Sequence, residues 1–520
     1  MAKFNVVDNR RAAALGPLVT TGPAIITHEG AVGVARDAKS ELFLLAVANM
    51  VGEATFYETA NDRDTRYAEL VREVARQDPE WIAGFLGWLR TGANMRSASL
   101  VGAAEAARAL LAAKLPGGRQ LVASVLQRAD EPGEMLAYWT SKYGRAIPKP
   151  VKRGVADAIG RLYNEYGLLK YDTASKGFRF ADVIDLVHPA AVAPWQGDLF
   201  EHALDRRHGR GGEIPPSTLP MIAANMWTRV QALGDNPGVL LDADALKRAG
   251  MTWEDALSLT GPRVDKARLW SALIPTMGYM ALLRNLRNFD QAGVSDMTAA
   301  AVAERLADPE QVAKSRQFPF RFLAAYRAAP SLRWGHALDK ALTASLANVP
   351  ELPGRTLVLV DRSGSMFGRM SAKSELTSAD AAAVFGAAVA MRNFGRADLV
   401  EFGTGSRRIE IQAGESLLRV VDRFGNLGGT QTLAAVRQHY AKHDRVLIVT
   451  DEQVWAGYGD PGSAIPPNVP LYTWNLVGYR AGHGASGPNR HTFGGLTDAA
   501  FKMVPLLEAG RDGAWPWLEK

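Results

Sequence analysis

Through the first two thirds of the chain, apolar positions recur every three to four residues, the spacing of amphipathic helices. SELFLLAVANMVGE (40–53), PEWIAGFLGWLRTG (79–92), SASLVGAAEAARALLAAKL (97–115) and TAAAVAERLA (298–307) show it best. Alternating β-branched runs are scarce there, and Pro116-Gly117-Gly118, Gly209-Arg210-Gly211-Gly212 and Pro215-Pro216 mark loops. Short helices with brief turns predict stacked helical hairpins of the solenoid type, without a strict sequence repeat.

After LANVPELPGR (346–355) the pattern changes. TLVLVD (356–361), DLVEFG (398–403), RRIEIQ (407–412), RVLIVTD (445–451) and LYTWNLVG (471–478) read as extended. ADAAAVFGAAVAMRNFG (379–395) reads as a helix stopped by Gly, and LLRVVDRFG (417–425) as a second helix. Strand and helix alternating in this way predict an open, Rossmann-like α/β sheet with helices on both faces. The expected organisation is an all-α domain over 1–350 and an α/β domain over 351–520.

Composition narrows the class. The 520 residues are 47% hydrophobic and 22% charged, a globular balance. No run approaches the ~18 to 20 apolar residues that span a bilayer. MAKFNVVDNRRAAALG has no apolar core of a signal peptide, and the chain has no cysteine, so a cytoplasmic location without disulfides or thiolate zinc sites is expected. The net charge is +6; from Glu351 onward 18 Lys and Arg face 17 Asp and Glu, which leaves +5 in the first 350 residues. So small a surplus does not by itself imply nucleic acid; clustering decides.

Two clusters carry chemistry. Asp361 closes the first strand of the α/β part and opens Asp361-Arg362-Ser363-Gly364-Ser365-Met366. In an open α/β sheet, ligands bind beyond the carboxyl ends of strands. Asp361, Ser363 and Ser365 alternate, so a carboxylate and two hydroxyls can face one pocket. Thr430 follows Gly428-Gly429, and Asp451 ends RVLIVTD. Hard oxygens of this kind suit Mg2+ or Mn2+. The five residues resemble the metal-ion-dependent adhesion site (MIDAS) of von Willebrand factor A domains, Asp-x-Ser-x-Ser followed by Thr and Asp, over roughly 355–520. In that family an open coordination position accepts a carboxylate from a partner. Three other patterns carry less. Gly482 to Gly487 spells G-x-G-x-x-G but runs into Pro488 rather than a helix; His439 and His443 lack the intervening Glu of a zinc helix and read as a solvated helix face; Ser363 is in no G-x-S-x-G elbow.

The second cluster lies between Lys142 and His188. Lys142, Arg145, Lys149, Lys152, Arg153, Arg161, Lys170, Lys176 and Arg179 fall within 38 residues, with Tyr143, Tyr163, Tyr166, Tyr171, Phe178 and Phe180 among them. Cations can meet phosphates and aromatic faces can stack on unpaired bases; the alternative is a solvated face beside ordinary core aromatics. On a helix, Lys149, Lys152 and Arg153 share one face and Val155 and Ile159 point inward.

This segment resembles the TROVE module of the Ro autoantigen family: a Pro-Lys-rich helix start, then Asp157 with Tyr163-Asn164, then Leu186 to His188. LWSALIPTMGYMALLRNLRNF (269–289) resembles a second family segment, and the order of TROVE module and A domain agrees. The resemblance implies a ring of HEAT-like helical repeats. It implies binding of small noncoding Y RNA on an outer basic surface and of single-stranded ends of misfolded or decaying RNA at a central hole. It also implies work with an exoribonuclease such as polynucleotide phosphorylase. Lys149, Lys152, Arg153 and Arg179 match the outer surface, and Arg284, Asn285 and Arg287 the second segment. Where the family often carries Ser-His, this chain has Arg179-Phe180, and Phe180 is expected to stack in place of the histidine.

The expected protein is a monomeric, non-catalytic RNA-binding scaffold with a divalent cation and no membrane contact, because no acid–base pair accompanies the metal ligands. The competing expectation is a metal-dependent protein-interaction module without RNA function.

Overall fold

The computed structural model describes residues 17–20, 22–26, 32–48, 60–210, 215–369, 376–452, 459–476, 486–496, 500–509 and 515–518. The chain divides into two compact units, one drawn from 71–311 and 329–337, the other from 1–70, 312–328 and 338–520. In chain order the first elements are β1 (Ala24–Ile26), β2 (Val32–Val34), α1 (Ala38–Ala48), α2 (Ala60–Gln77), α3 (Pro79–Thr91), α4 (Arg96–Ala112), α5 (Gly118–Val125), α6 (Glu131–Tyr143), α7 (Lys149–Leu162), α8 (Glu165–Tyr171) and α9 (Phe180–Val187). Further helices, among them Pro194–His208, Pro220–Leu233, Tyr279–Ala292 and Asp296–Ala307, continue the helical unit.

Local chemistry explains where these helices begin and how closely they pack. Pro79 opens α3 because a first-turn residue needs no N–H partner, and the Asp78 carboxylate accepts from Trp81 N at 3.0 Å. Trp81, Ile82, Phe85, Leu86 and Leu89 then face inward. The four predicted helical stretches all form helices, the first over Ala38–Ala48 with 49–53 outside the described residues. Gly154 lets α7 lie against α5, since a Cβ there would stand 2.6 Å from the Arg119 carbonyl oxygen. That contact fixes the face that α7 turns outward.

The second unit is built on a six-stranded sheet: β3 (Thr356–Asp361), β4 (Ala397–Phe402), β5 (Ser406–Arg408), β6 (Arg445–Thr450), β7 (Leu471–Asn475) and β8 (Arg490–Gly494). Its order is β5-β4-β3-β6-β7-β8, parallel except for the β4–β5 pair. Val358 of β3 registers with Leu399 of β4 and Leu447 of β6. Strands β3, β6 and β7 are buried along their whole length, which is why they read as continuous apolar runs. Helix Ser378–Arg392 presses on β3 at Gly386, where any side chain would collide with Val360. This is the open, mostly parallel α/β sheet expected from the alternation, and it is consistent with the resemblance to a von Willebrand factor A domain.

Three details differ from the sequence reading. Of RRIEIQ only Arg407 and Arg408 are in a strand, and LLRVVDRFG is helical only over Leu417–Val421. Strand β8 was not anticipated, because it opens on the polar run Arg490-His491-Thr492, whose arginine is satisfied by the Val469 and Ile465 carbonyls. Of LYTWNLVG, residues 477 and 478 lie outside the described residues, as do 482–485 of the G-x-G-x-x-G pattern.

The N-terminal hairpin is part of this second unit. Val34 N donates to the Ser486 carbonyl at 3.1 Å, and Ser486 Oγ donates to the Val34 carbonyl at 2.9 Å. Arg36 donates to the Arg490 carbonyl at 2.5 Å. Phe43 of α1 packs on Trp515, ring centroids 5.3 Å apart. Among the described residues no helix is long and apolar enough to cross a membrane.

Candidate functional site

The five predicted metal ligands gather at the carboxyl end of the sheet. Asp361, at the end of β3, and Asp451, one residue past β6, are both buried. Ser363 N donates to Asp361 Oδ1 at 2.8 Å, which folds the loop back, and Ser363 Oγ lies 3.2 Å from Ser365 Oγ. Arg362 anchors the loop from beneath, with Nε on the Gly425 carbonyl at 2.6 Å and Nη1 on the Ala379 carbonyl at 2.7 Å. The loop carrying Thr430 is stitched to the same place. Gly364 N donates to the Gly428 carbonyl at 2.7 Å, Leu427 N to the Arg362 carbonyl at 2.8 Å, and Gly429 N to Thr404 Oγ1 at 2.8 Å. Gly428 takes φ +76°, a conformation open chiefly to glycine.

Two buried carboxylates, the buried hydroxyls of Ser363 and Thr430 and the exposed hydroxyl of Ser365 therefore lie at one end of the sheet. Burial, reinforced by the charge of Asp451, pushes the Asp361 carboxyl up to about 7. Two facing anions with hydroxyl donors around them are a hard-oxygen set whose electrostatic cost a divalent cation removes. The donor chemistry fits Mg2+ or Mn2+.

Sequence reasoning missed two residues here. Thr450 Oγ1 donates to Asp361 Oδ2 at 2.5 Å and accepts from Glu452 N at 3.0 Å, so it fixes the first ligand from the neighbouring strand. Glu452 is buried beside Asp451 at φ +52° and accepts from Asn475 Nδ2 at 2.7 Å. The run Thr450-Asp451-Glu452 at a strand end was the available signal. His439 and His443 are buried rather than solvated. His439 Nε2 lies 2.9 Å from Ser406 Oγ and His443 Nε2 2.7 Å from Asp398 Oδ2, so each closes a polar gap at the sheet edge.

The basic segment belongs to the helical unit, and its nine cations separate into two groups. Five are engaged. Lys142 pairs with Glu105 at 2.9 Å, Arg161 donates to the Ala123 and Leu126 carbonyls at the end of α5, and Arg179 pairs with buried Asp172 at 2.6 Å. Lys170 rests over the Tyr166 and Tyr171 rings, each at 5.3 Å, and Lys176 stands 3.8 Å from Glu134. The other four are Arg145, Lys149, Lys152 and Arg153. Lys152 is half-buried and the rest exposed, and among the described residues none has an acidic partner. Lys149, Lys152 and Arg153 occupy the start of α7, with no acidic residue in its first turn, while Val155 and Ile159 are buried as expected. Cations crowded on the positive end of a helix dipole weaken the helix and strengthen attraction for anions.

The aromatic residues are mostly structural. Phe180 is buried and stacks on Tyr163 with centroids 3.8 Å apart, so it is not a free platform in place of a histidine. The other residues of that motif also serve the fold: Asp157 pairs with Arg119 at 2.6 Å, and Asn164 caps α8 by accepting from Gly167 N at 2.7 Å. In helix Tyr279–Ala292, Arg284 and Arg287 are exposed and without acidic partners among the described residues, whereas Asn285 is buried and donates to the Ala281 carbonyl at 2.8 Å.

Residues 245–333 match the model of the TROVE domain. That stretch is similar to a TROVE domain. The matched stretch contains Leu269–Phe289, with Arg284 and Arg287; the segment Lys142–His188 lies before it. The chain is similar to the RNA-binding protein RO60 of Deinococcus radiodurans, 24% identical over 464 residues, which span 80% of this chain and 81% of that one. Telomerase protein component 1 of Mus musculus shares 46% identity over 77 residues, 14% of this chain and 3% of that protein. The crystal structure of the Deinococcus radiodurans RO (RSR) protein superposes with a TM-score of 0.68 at 20% identity, covering 92% of this chain and 100% of that one. The TROVE match, the RO60 similarity and the shared fold together bear out the resemblance to the Ro family.

Proposed function

We propose that the TROVE-bearing unit binds RNA and that the α/β unit holds a divalent cation, the whole acting as a non-catalytic scaffold in RNA quality control. The observation that carries the reading is the group Arg145, Lys149, Lys152 and Arg153, cations just before and at the start of α7 that have no acidic partner among the described residues. A fold gains nothing from such a cluster, while a polyanion gains a great deal. The relative spanning four fifths of the chain is named for RNA binding, which supports the same reading. In this reading the RNA is a small structured noncoding RNA of the Y type together with single-stranded ends of misfolded or decaying RNA. An exoribonuclease is the protein partner, and the protein works in the cytoplasm.

The cation belongs with Asp361, Ser363, Ser365, Thr430 and Asp451. When bound, it would supply an electrophilic point for a partner carboxylate. That site also favours the second reading, a metal-dependent protein-interaction module.

Sequencing the RNA that co-purifies with the native protein, then titrating it back across a salt series, separates the two. One enriched small RNA is expected, with affinity falling about tenfold in the Lys152→Ala, Arg153→Ala double variant and with a shallower salt slope. No enriched RNA, and weak binding insensitive to those changes, would leave the protein-interaction reading in its place.

A further inference from the structure

Helix Pro220–Leu233 inverts the usual arrangement of a surface helix. Its polar side chains face inward. Asn225 and Thr228 are buried, and Asn225 Nδ2 donates to the Ala249 carbonyl at 2.8 Å. Arg229, the one charged residue of the helix, donates to Asn225 Oδ1 at 2.8 Å and to Asp255 at 2.7 Å. The outward side instead carries Met226, Trp227, Val230 and Leu233, exposed by 37, 56, 67 and 62%. With 3.6 residues per turn, these four and Ala223 fall on one stripe about 15 Å long. Ordinary surface helices place charged and polar residues there. The stripe is not a frayed end, because Arg263 Nη1 donates to the Leu233 carbonyl at 3.1 Å and pins the last turn. Large apolar side chains present about 150 to 250 Å² each, so these exposures leave roughly 400 Å² of contiguous apolar surface, a size that marks a contact site.

We propose that this stripe is the contact between two copies of the chain, related by a twofold axis. Two observations select a second copy over another protein. A twofold axis brings like residues close together, so a charged face would repel itself. This face is uncharged, and the one nearby cation, Arg229, is already held by Asp255. The stripe also complements itself in size. With two such helices antiparallel about an axis at its centre, Ala223 of one copy stands opposite Leu233 of the other, small against large. Met226 then stands opposite Val230, and the two Trp227 rings flank the axis, so that ridges enter grooves. A stable interface takes about 800 Å² from each partner, somewhat over half of it apolar, and the stripe supplies most of that apolar part. The inference is independent of the RNA reading, and it replaces the monomer expected from the sequence.

Sedimentation velocity on the full chain, from about 0.1 to 50 μM, reads the state directly, and a species of twice the chain mass is expected to dominate above about 10 μM. Val230 is the most exposed position of the stripe, so a charge there leaves the fold intact. Val230→Glu sets two carboxylates near the axis and is expected to weaken association about a hundredfold or more, leaving monomer throughout. Val230→Lys is expected to do the same alone. Mixed in equal amounts, the two variants should restore the dimer, a result that damage to the fold cannot produce. Val192→Glu, at a position 66% exposed outside this helix, should leave the dimer unchanged. A monomer at every concentration overturns the proposal and leaves the stripe to a helix of another protein. A dimer that survives Val230→Glu overturns it by placing the contact elsewhere, and a mixture that stays monomeric overturns the twofold arrangement.

Discussion

Lys142 reaches back from the end of α6 to Glu105, buried in the middle of α4, and the two charges meet at 2.9 Å. The same carboxylate accepts from Tyr138 at 2.6 Å, Tyr143 at 2.5 Å and Arg72 at 2.8 Å. Burial works against the charge, but the hydrogen bonds from Tyr138, Tyr143 and Lys142 outweigh it and hold the Glu105 carboxyl below its usual range. Lys142 is thereby a structural cation. Lys142→Met is expected to lower stability by about 1 kcal/mol, and Glu105→Ala by about 3 kcal/mol, since the latter strands several donors around an emptied site. Denaturant melts check the stabilities. RNA affinity of Lys142→Met should stay within about twofold of the parent under one salt condition, in contrast to changes at Lys152 and Arg153.

Arg284 and Arg287 test whether the matched TROVE stretch itself touches RNA. Both are exposed and lack acidic partners among the described residues, so alanine there should cost little stability, about 0.5 kcal/mol or less. If each contacts one phosphate of a single strand, the double variant should lower the slope of log affinity against log salt by about 1.4. Filter binding across a salt series measures it; an unchanged slope would confine the interface to α7.

The metal pocket predicts opposite signs for one substitution. Asp361 and Asp451 are buried together, and each charge opposes the other. In chelator, Asp451→Asn relieves that opposition and should raise the melting temperature of the α/β unit. With Mg2+ at about a hundred times its dissociation constant, the parent should gain about 2.7 kcal/mol, and the variant should lose most of that gain. Thermal melts with and without Mg2+ give both readings.

Acid should weaken the α/β unit through His491. The ring is buried and stacked on Tyr472 at 5.2 Å, and burial, with Arg36 and Arg490 nearby, holds its pKa well below the ordinary value of 6.5. Below pH 6.5 the unfolded chain takes up a proton that the folded chain refuses. The stability is thus complete above that pH and falls as pH drops, by about 1.4 kcal/mol per unit until the folded ring titrates. His443, also lowered by burial, adds to the same trend more weakly because Asp398 partly compensates. His491→Phe should flatten the pH dependence of denaturant midpoints between about 6.5 and 4.5; a profile that is the same in parent and variant would assign the acid sensitivity elsewhere.

What could be read in advance follows from how far information travels along the chain. The α/β alternation was legible because each buried strand is a local apolar run, and Asp361 and Asp451 were placed at the ends of two of those runs, where the structure has them. Val155 and Ile159 were legible from helical period. The division of the basic segment was not, because the partners that occupy its cations come from elsewhere: Glu105 from α4 for Lys142, and the α5 carbonyls for Arg161. Phe180 looked like an exposed platform until Tyr163 was seen against it. His439 and His443 looked solvated for the same reason, since their partners Ser406 and Asp398 lie on β5 and β4, more than thirty residues back along the chain.

The hydrogen bonds between Val34 and Ser486 join positions 452 residues apart. A ribosome adding about 5 to 20 residues per second needs roughly 20 to 90 seconds to bridge that distance. For that interval β1, β2 and the apolar side of α1 have been made, while the strand and tryptophans they rest on have not. The hairpin must therefore be tolerated unfinished, and the α/β unit closes only after Ser486 has been made. A chain broken anywhere near its middle yields two fragments that each lack part of the same sheet-bearing unit.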